Sequence, residues 1–188
     1  MNNATFFFNQ PKNEPVLSYA KGSKERELLS EELEKQYNQC IEIPIIINGK
    51  EIKTGNVSEV VMPTEHSHVL AKFHKADKET VQKAIESALE ARKKWENVHW
   101  IDRCSIMLRA AELLAGKYRY VINAATMLGQ GKNPFQAEID SACETIDFLR
   151  FNVHYASKIY AQQPLSDNSA INRLEYRGLE GFVYAISP

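Results

Sequence analysis

Val69-Leu70-Ala71-Lys72-Phe73-His74-Lys75-Ala76-Asp77-Lys78-Glu79-Thr80-Val81-Gln82-Lys83-Ala84-Ile85 holds the change of pattern that decides the fold class. Val69 to Phe73 reads as a short strand. From Asp77 the apolar spacing becomes helical: Val81, Ala84, Ile85, Ala88, Leu89 and Trp95 fall on one face of a helix ending near Asn97. Asp77 is a natural N-cap, because its carboxylate can accept the free N–H groups of the first turn. A chain that passes from strands to helices in this way is α/β.

Upstream, Ile43-Pro44-Ile45-Ile46-Ile47-Asn48-Gly49-Lys50-Glu51-Ile52 is a β-branched run closed by Asn-Gly. Both central positions of a type I′ turn need positive φ, which these two residues tolerate, so the stretch predicts a hairpin. Val57 to Val61 is another strand candidate, with a turn at Pro63 to Ser67 before the next. Before the hairpin, residues 1–22 are polar and carry Pro11 and Pro15, which predicts an extended arm. Ser23 can cap a helix to about Gln39, with Leu28, Leu29, Leu33 and Tyr37 on one stripe.

Downstream, Asp102 is the expected cap of a helix that turns Ile106, Ala110, Leu113 and Leu114 inward and ends at Gly116. A third helix is expected from Tyr118 to Leu128, broken by Gly129 and Gly131. Pro134 suits the first turn of a fourth, which carries Ile139, Cys143, Ile146, Phe148, Leu149, Val153 and Tyr155 and ends before Pro164. Ala170 to Arg177 and Gly181 to Ile186 read as strands. The apolar run Phe182-Val183-Tyr184-Ala185-Ile186 has the character of a strand buried on both faces of a parallel sheet. The expected division is an arm and helix over 1–42, short strands over 43–75, and over 76–188 the first part of a larger α/β domain, with helices at 77–163 and strands at 170–186.

The 188 residues carry 23 basic and 24 acidic side chains, a net charge of −1. No clustered basic face announces nucleic acid, and no apolar run is long enough to span a membrane. Met1 to Gln10 includes Phe6-Phe7-Phe8 without a basic region, so neither a signal nor a transit peptide is read there. Cys40, Cys104 and Cys143 fit no disulfide or metal spacing, which favours a reducing compartment such as the cytoplasm.

Candidate chemistry is sparse. His66, His68 and His74 would share one side of a strand, but no cysteine or carboxylate completes a metal set, and the plain reading is a solvated loop. Cys143 and Cys104 read as small hydrophobes, and Cys40 has no activating neighbour. Glu138, Glu144 and Asp147 lie on the long fourth helix. Glu144 and Asp147, three apart, can share a face, and Glu144 borders the apolar side of Cys143 and Ile146. A surface carboxylate is the plain reading, and a cation-binding one the alternative.

An ordered set of short stretches resembles the 1-pyrroline-5-carboxylate (L-glutamate γ-semialdehyde) dehydrogenases of the aldehyde dehydrogenase superfamily. The stretches are Asn13 to Ser23, Ile47 to Ile52, Met127 to Lys132, Gln136 to Asp140, Ile146 to Asn152, Gln162 to Pro164 and Tyr176 to Val183. The resemblance implies NAD-dependent oxidation of glutamate γ-semialdehyde to glutamate, in proline degradation. It implies a homo-oligomer with no nucleic-acid or membrane partner, placed in the cytoplasm, or in the mitochondrial matrix of a eukaryote. The implied reaction runs through a cysteine thiohemiacetal and thioester, with a glutamate base and an oxyanion-stabilising asparagine. These three residues are expected beyond Pro188, so residues 1–188 alone are expected to be inactive. By the same resemblance Ser187 contacts NAD and Glu144 borders the substrate pocket, where it can meet the amino group of the semialdehyde. Glu138 and Arg150 belong to the matching stretches without an assigned ligand. Another aldehyde dehydrogenase, or a non-catalytic interaction module, remain as alternatives.

Overall fold

The structure, a computed structural model, describes residues 7–187; the first six residues of the expected arm, and Pro188, lie outside the described residues. From Phe7 to Ala20 the chain forms no helix or strand, and a turn at Lys21 and Gly22 leads into the first helix. Ser23 then caps α1 (Lys24–Tyr37), its hydroxyl accepting from the Arg26 N–H.

The apolar run after α1 divides at Pro44. Residues Ile41–Ile43 (β1) pair in parallel with a later strand, while Ile45–Ile47 (β2) and Lys50–Ile52 (β3) form the expected hairpin. Proline has no N–H to donate to a ladder, so it separates the two pairings. Asn48 and Gly49 sit at φ 51° and 72°, the values the turn requires.

Strands β4 (Val57–Met62) and β5 (Glu65–His74) are antiparallel and longer than their apolar cores suggested. Met62 pairs with Glu65, so only Pro63 and Thr64 make the turn, and His66 lies on a strand, not a loop. The sheet order is β1–β5–β4, a mixed sheet with one parallel and one antiparallel pair.

The helices follow: α2 (Lys78–Trp95), α3 (Trp100–Ala115), α4 (Arg119–Gln130), α5 (Pro134–Ala137) and α6 (Glu144–Ala161). Asp77 caps α2 as expected, accepting from the Thr80 N–H at 2.8 Å. The start of α3 differs. His99 caps it through Nδ1, and Asp102 lies in the first turn, where its charge favours the positive helix end. The α4 helix also runs past Gly129. One internal glycine costs only about 1 kcal/mol, and the stop comes at Gly131, whose φ of 67° closes the left-handed cap.

Two apolar clusters sit inside. Tyr19 of the arm, Leu29 of α1 and Ala124 of α4 make one; Ala111, Ala142 and Ile146 make the other, joining α3 to the fourth helical run. The face of α2 carrying Val81, Leu89 and Trp95 is half exposed, because α2 meets mainly the hairpin. Phe148 and Tyr155, among the apolar residues of the fourth helical run, are also about half exposed.

The expected strands at 170–186 do not form. After α6 the chain continues as irregular backbone, and Val183, Tyr184 and Ile186 are each more than 70% exposed. A strand needs a partner for its N–H and C=O groups. Neither β1–β5–β4 nor the β2–β3 hairpin lies alongside this segment, and no other strand is present among the described residues.

Candidate functional site

The site grows from an irregularity in the fourth helix. Asn133 and Gln136 form a reciprocal capping box around Pro134. Four residues later the helix widens into a π-helical turn, Glu138–Cys143, before α6 resumes. In an α-helix residues five apart point about 140° from one another. A π turn, bonded i→i+5, brings them towards one face. Glu138 and Cys143 accordingly meet, with Sγ 3.6 Å from Oε1.

Glu138 is fully buried, and its partners are numerous. Tyr19 Oη donates to it at 2.6 Å, Asn123 Nδ2 at 2.8 Å and the Leu17 N–H at 2.9 Å, while Arg119 forms an ion pair. Burial alone would raise this carboxyl. The Arg119 guanidinium and the Tyr19 and Leu17 donors outweigh burial and hold it below the usual carboxylate range. Arg119 also pairs with Glu14 at 2.5 Å and donates to the Pro15 carbonyl at 2.7 Å. Glu14 in turn meets Arg150, which reaches Glu112 on α3. Tyr19, with φ of 50°, is kept in a conformation rare for an aromatic residue by this set of bonds. The arm is thus bolted to α4 and α6 by paired charges.

The sequence signals for this network are an arginine and an asparagine four apart, Arg119 and Asn123, on a helix face that also carries buried Ala124. Sequence reasoning passed over both residues, and over Tyr19 and Glu14 as individuals, and left Glu138 without a role.

A cavity of about 700 Å³ opens between the arm and α6. Asn13 and Glu14 line it from the arm, and Cys143, Glu144 and Asp147 from the helix. Its three carboxylates differ in what they already hold. Glu14 is paired with two arginines. Both oxygens of Asp147 accept from the arm. The Glu144 side chain makes no ion pair or hydrogen bond among the described residues. Of the three it alone is left without a partner among the described residues. A second cavity, of about 490 Å³ between α3 and α6, is walled by Trp95, Trp100, Met107 and Tyr160 and has no carboxylate.

The other candidates separate. Ser187 is exposed, on irregular backbone, and takes no part in the bonds described above. His68 stacks on Tyr37 and bonds its carbonyl, while buried His74 meets Glu42 and the Gly55 N–H. Among the described residues no three His, Cys, Asp or Glu side chains converge as metal ligands. Cys40 is exposed, Cys104 half-buried and Cys143 buried. Burial, reinforced by the Glu138 charge, pushes the Cys143 thiol up to about 11, so it is protonated at neutral pH and a poor nucleophile. Iodoacetamide, applied near the ordinary thiol pKa of about 8.5, is expected to label Cys40 in the folded chain and Cys143 only after denaturation. Equal labelling of the two, read by peptide mass spectrometry, would contradict the packing around Cys143.

Residues 51–188 match the sequence model of the Aldehyde dehydrogenase family. A delta-1-pyrroline-5-carboxylate dehydrogenase of Agaricus bisporus is 51% identical over 187 residues, covering 98% of this chain and 34% of that enzyme. The mitochondrial delta-1-pyrroline-5-carboxylate dehydrogenase of Homo sapiens is 48% identical over 176 residues, 94% of this chain and 31% of its own length. The chain therefore spans about a third of the length of the curated relatives it matches. The crystal structure of the Delta-pyrroline-5-carboxylate dehydrogenase from Mycobacterium tuberculosis bound with NAD superposes with a TM-score of 0.93 at 42% identity, over 96% of this chain and 34% of that one. With the family pattern matching most of its length, and a solved fold of that kind superposing on nearly all of it, the chain belongs to the aldehyde dehydrogenase family.

Proposed function

We propose that the protein to which this chain belongs oxidises L-glutamate γ-semialdehyde to L-glutamate with NAD, in proline degradation. The observation that carries this reading is the 51% identity, across 98% of the chain, to an enzyme named for 1-pyrroline-5-carboxylate, the cyclised form of that aldehyde. The cavity supports it from the side of chemistry. At neutral pH the semialdehyde carries an ammonium group, and Glu144 is a carboxylate at the cavity with no partner among the described residues.

In this reading Glu144 receives the substrate's ammonium and Ser187 touches the cofactor. The exposed hydroxyl of Ser187 can both donate and accept a hydrogen bond. When bound, NAD supplies the electron acceptor. Residues 1–188 contribute recognition, and Cys143, protonated and buried, does not serve as a nucleophile there. We assign residues 76–188 to the opening of the cofactor-binding domain, and the whole to a homo-oligomer. Three free cysteines accord with a reducing compartment, cytoplasm or mitochondrial matrix. Among the described residues no helix is long and apolar enough to cross a membrane.

The test is NADH formation by the protein purified from its own gene, with glutamate γ-semialdehyde against a straight-chain aldehyde lacking the amino and carboxyl groups. The semialdehyde is the expected preferred substrate. A hydrogen bond to a charged group is worth about 1.5–3 kcal/mol. Glu144→Gln is therefore expected to raise KM for the semialdehyde roughly tenfold or more, leaving KM for NAD unchanged. Preference for the plain aldehyde would remove the substrate assignment; an unchanged KM in the variant would remove only Glu144.

A further inference from the structure

One wall of the Glu144 cavity is supplied by the N-terminal arm, not by a helix. Asp147, one turn beyond Glu144, fastens that wall. Its Oδ2 accepts from Asn13 Nδ2 and its Oδ1 from the Glu14 N–H, each at 2.7 Å. Behind this clasp the Glu14 side chain is gripped by Arg119 and Arg150, so the backbone at Asn13 and Glu14 is held at two levels.

The polarity of the clasp has a chemical consequence. An ionised carboxylate only accepts, so Asp147 fixes Asn13 with its amide NH2 turned inward to the helix. The amide oxygen of Asn13 is left without a partner among the described residues, on a side chain that lines the cavity. An ammonium group carries three N–H donors. Glu144 alone serves an ammonium ion incompletely, and a neutral acceptor on the opposite wall completes the set.

We propose that Asn13 is a substrate-binding residue, its Oδ1 accepting from the ammonium group of an α-amino aldehyde, and that Asp147 is the positioning residue that orients it. The arm is then a specificity element, selecting for a charged amino group across the cavity from Glu144. This rests on the semialdehyde reading given above.

Asn13 is exposed, so Asn13→Ala leaves the core intact. In the full-length protein this variant is expected to raise KM for glutamate γ-semialdehyde about fivefold to tenfold. Its kcat, KM for NAD and KM for a straight-chain aldehyde without an amino group stay at wild-type values. Asp147→Ala gives the same pattern. Asp147→Asn, which keeps one acceptor for the Asn13 amide, falls between it and wild type. A purely structural arm would move the constants of both aldehydes together, and that result, or no change with either, overturns the proposal while the substrate assignment stands. If the wild-type protein does not oxidise the semialdehyde, the assignment and this inference fall together.

Discussion

Arg119→Met is expected to lower the free energy of unfolding by about 3–5 kcal/mol, the usual consequence of removing one partner from a buried ion pair. The measurement is a urea titration, in which the midpoint falls while the slope holds. Arg119 is only 4% exposed, yet its guanidinium meets Glu14, Glu138 and the Pro15 carbonyl. Methionine fills much of the same volume and supplies no charge. Glu14 keeps Arg150 after the change, but Glu138 keeps Tyr19, Asn123, the Leu17 N–H and the Cys143 thiol, all of them neutral. A fully buried carboxylate without a cation is the costly species. It is also the reason the double variant Arg119→Met/Glu138→Leu should recover a large part of the loss. A single-variant cost under about 1 kcal/mol, the value of an ordinary surface pair, would mean that the arm is not held by these charges.

The residues that make this network were only partly legible beforehand, and the reason is distance along the chain. Hairpin, caps and helix stops are local. Asn48-Gly49 dictates its own turn, Ser23 and Asp77 their own helix starts, and each stands where the sequence indicates. Glu14 and Arg119 are 105 residues apart, and nothing local to either announces the other. Regular α-helical spacing sets Glu138 and Cys143 on different faces; the π turn, invisible to that spacing, brings them together. The tail failed in the opposite sense. Phe182 to Ile186 has every local mark of a buried strand, but a strand is a property of its neighbours, and none lies beside this one among the described residues. Glu144 and Ser187 came from resemblance. The fold places the first at a cavity, its carboxylate without a partner among the described residues, and leaves the second exposed.

Acid should loosen the same bolt that Arg119→Met removes. The folded-state pKa of Glu138 lies below its unfolded value, because burial, which opposes ionisation, is outweighed by Arg119, Tyr19 and the Leu17 N–H. The unfolded carboxyl, near 4.3 in model peptides, therefore takes up its proton first as pH falls. Proton uptake on unfolding means stability that is complete above the unfolded pKa, declines as pH drops below about 5, and is gone once pH has passed through the depressed folded value. Other carboxylates titrate here too. Glu90 is held low by its bond from Lys93, and Asp77 by its bonds from Thr80, but both are on the surface. For Glu90 the partner is a charge, so its share is screened in high salt, whereas a buried pair is screened far less. Urea midpoints measured from neutral pH to about pH 3, in high salt, suppress the screened surface pairs, and comparison with Glu138→Gln isolates the buried share. Wild type should lose stability steeply across that range. Glu138→Gln, weaker at neutral pH because its amide cannot answer the guanidinium, should show a distinctly shallower slope, so the two curves converge as the carboxylate is discharged. Parallel curves would assign the acid sensitivity to other groups and deny Glu138 its place as the charged centre that ties the arm to the helices.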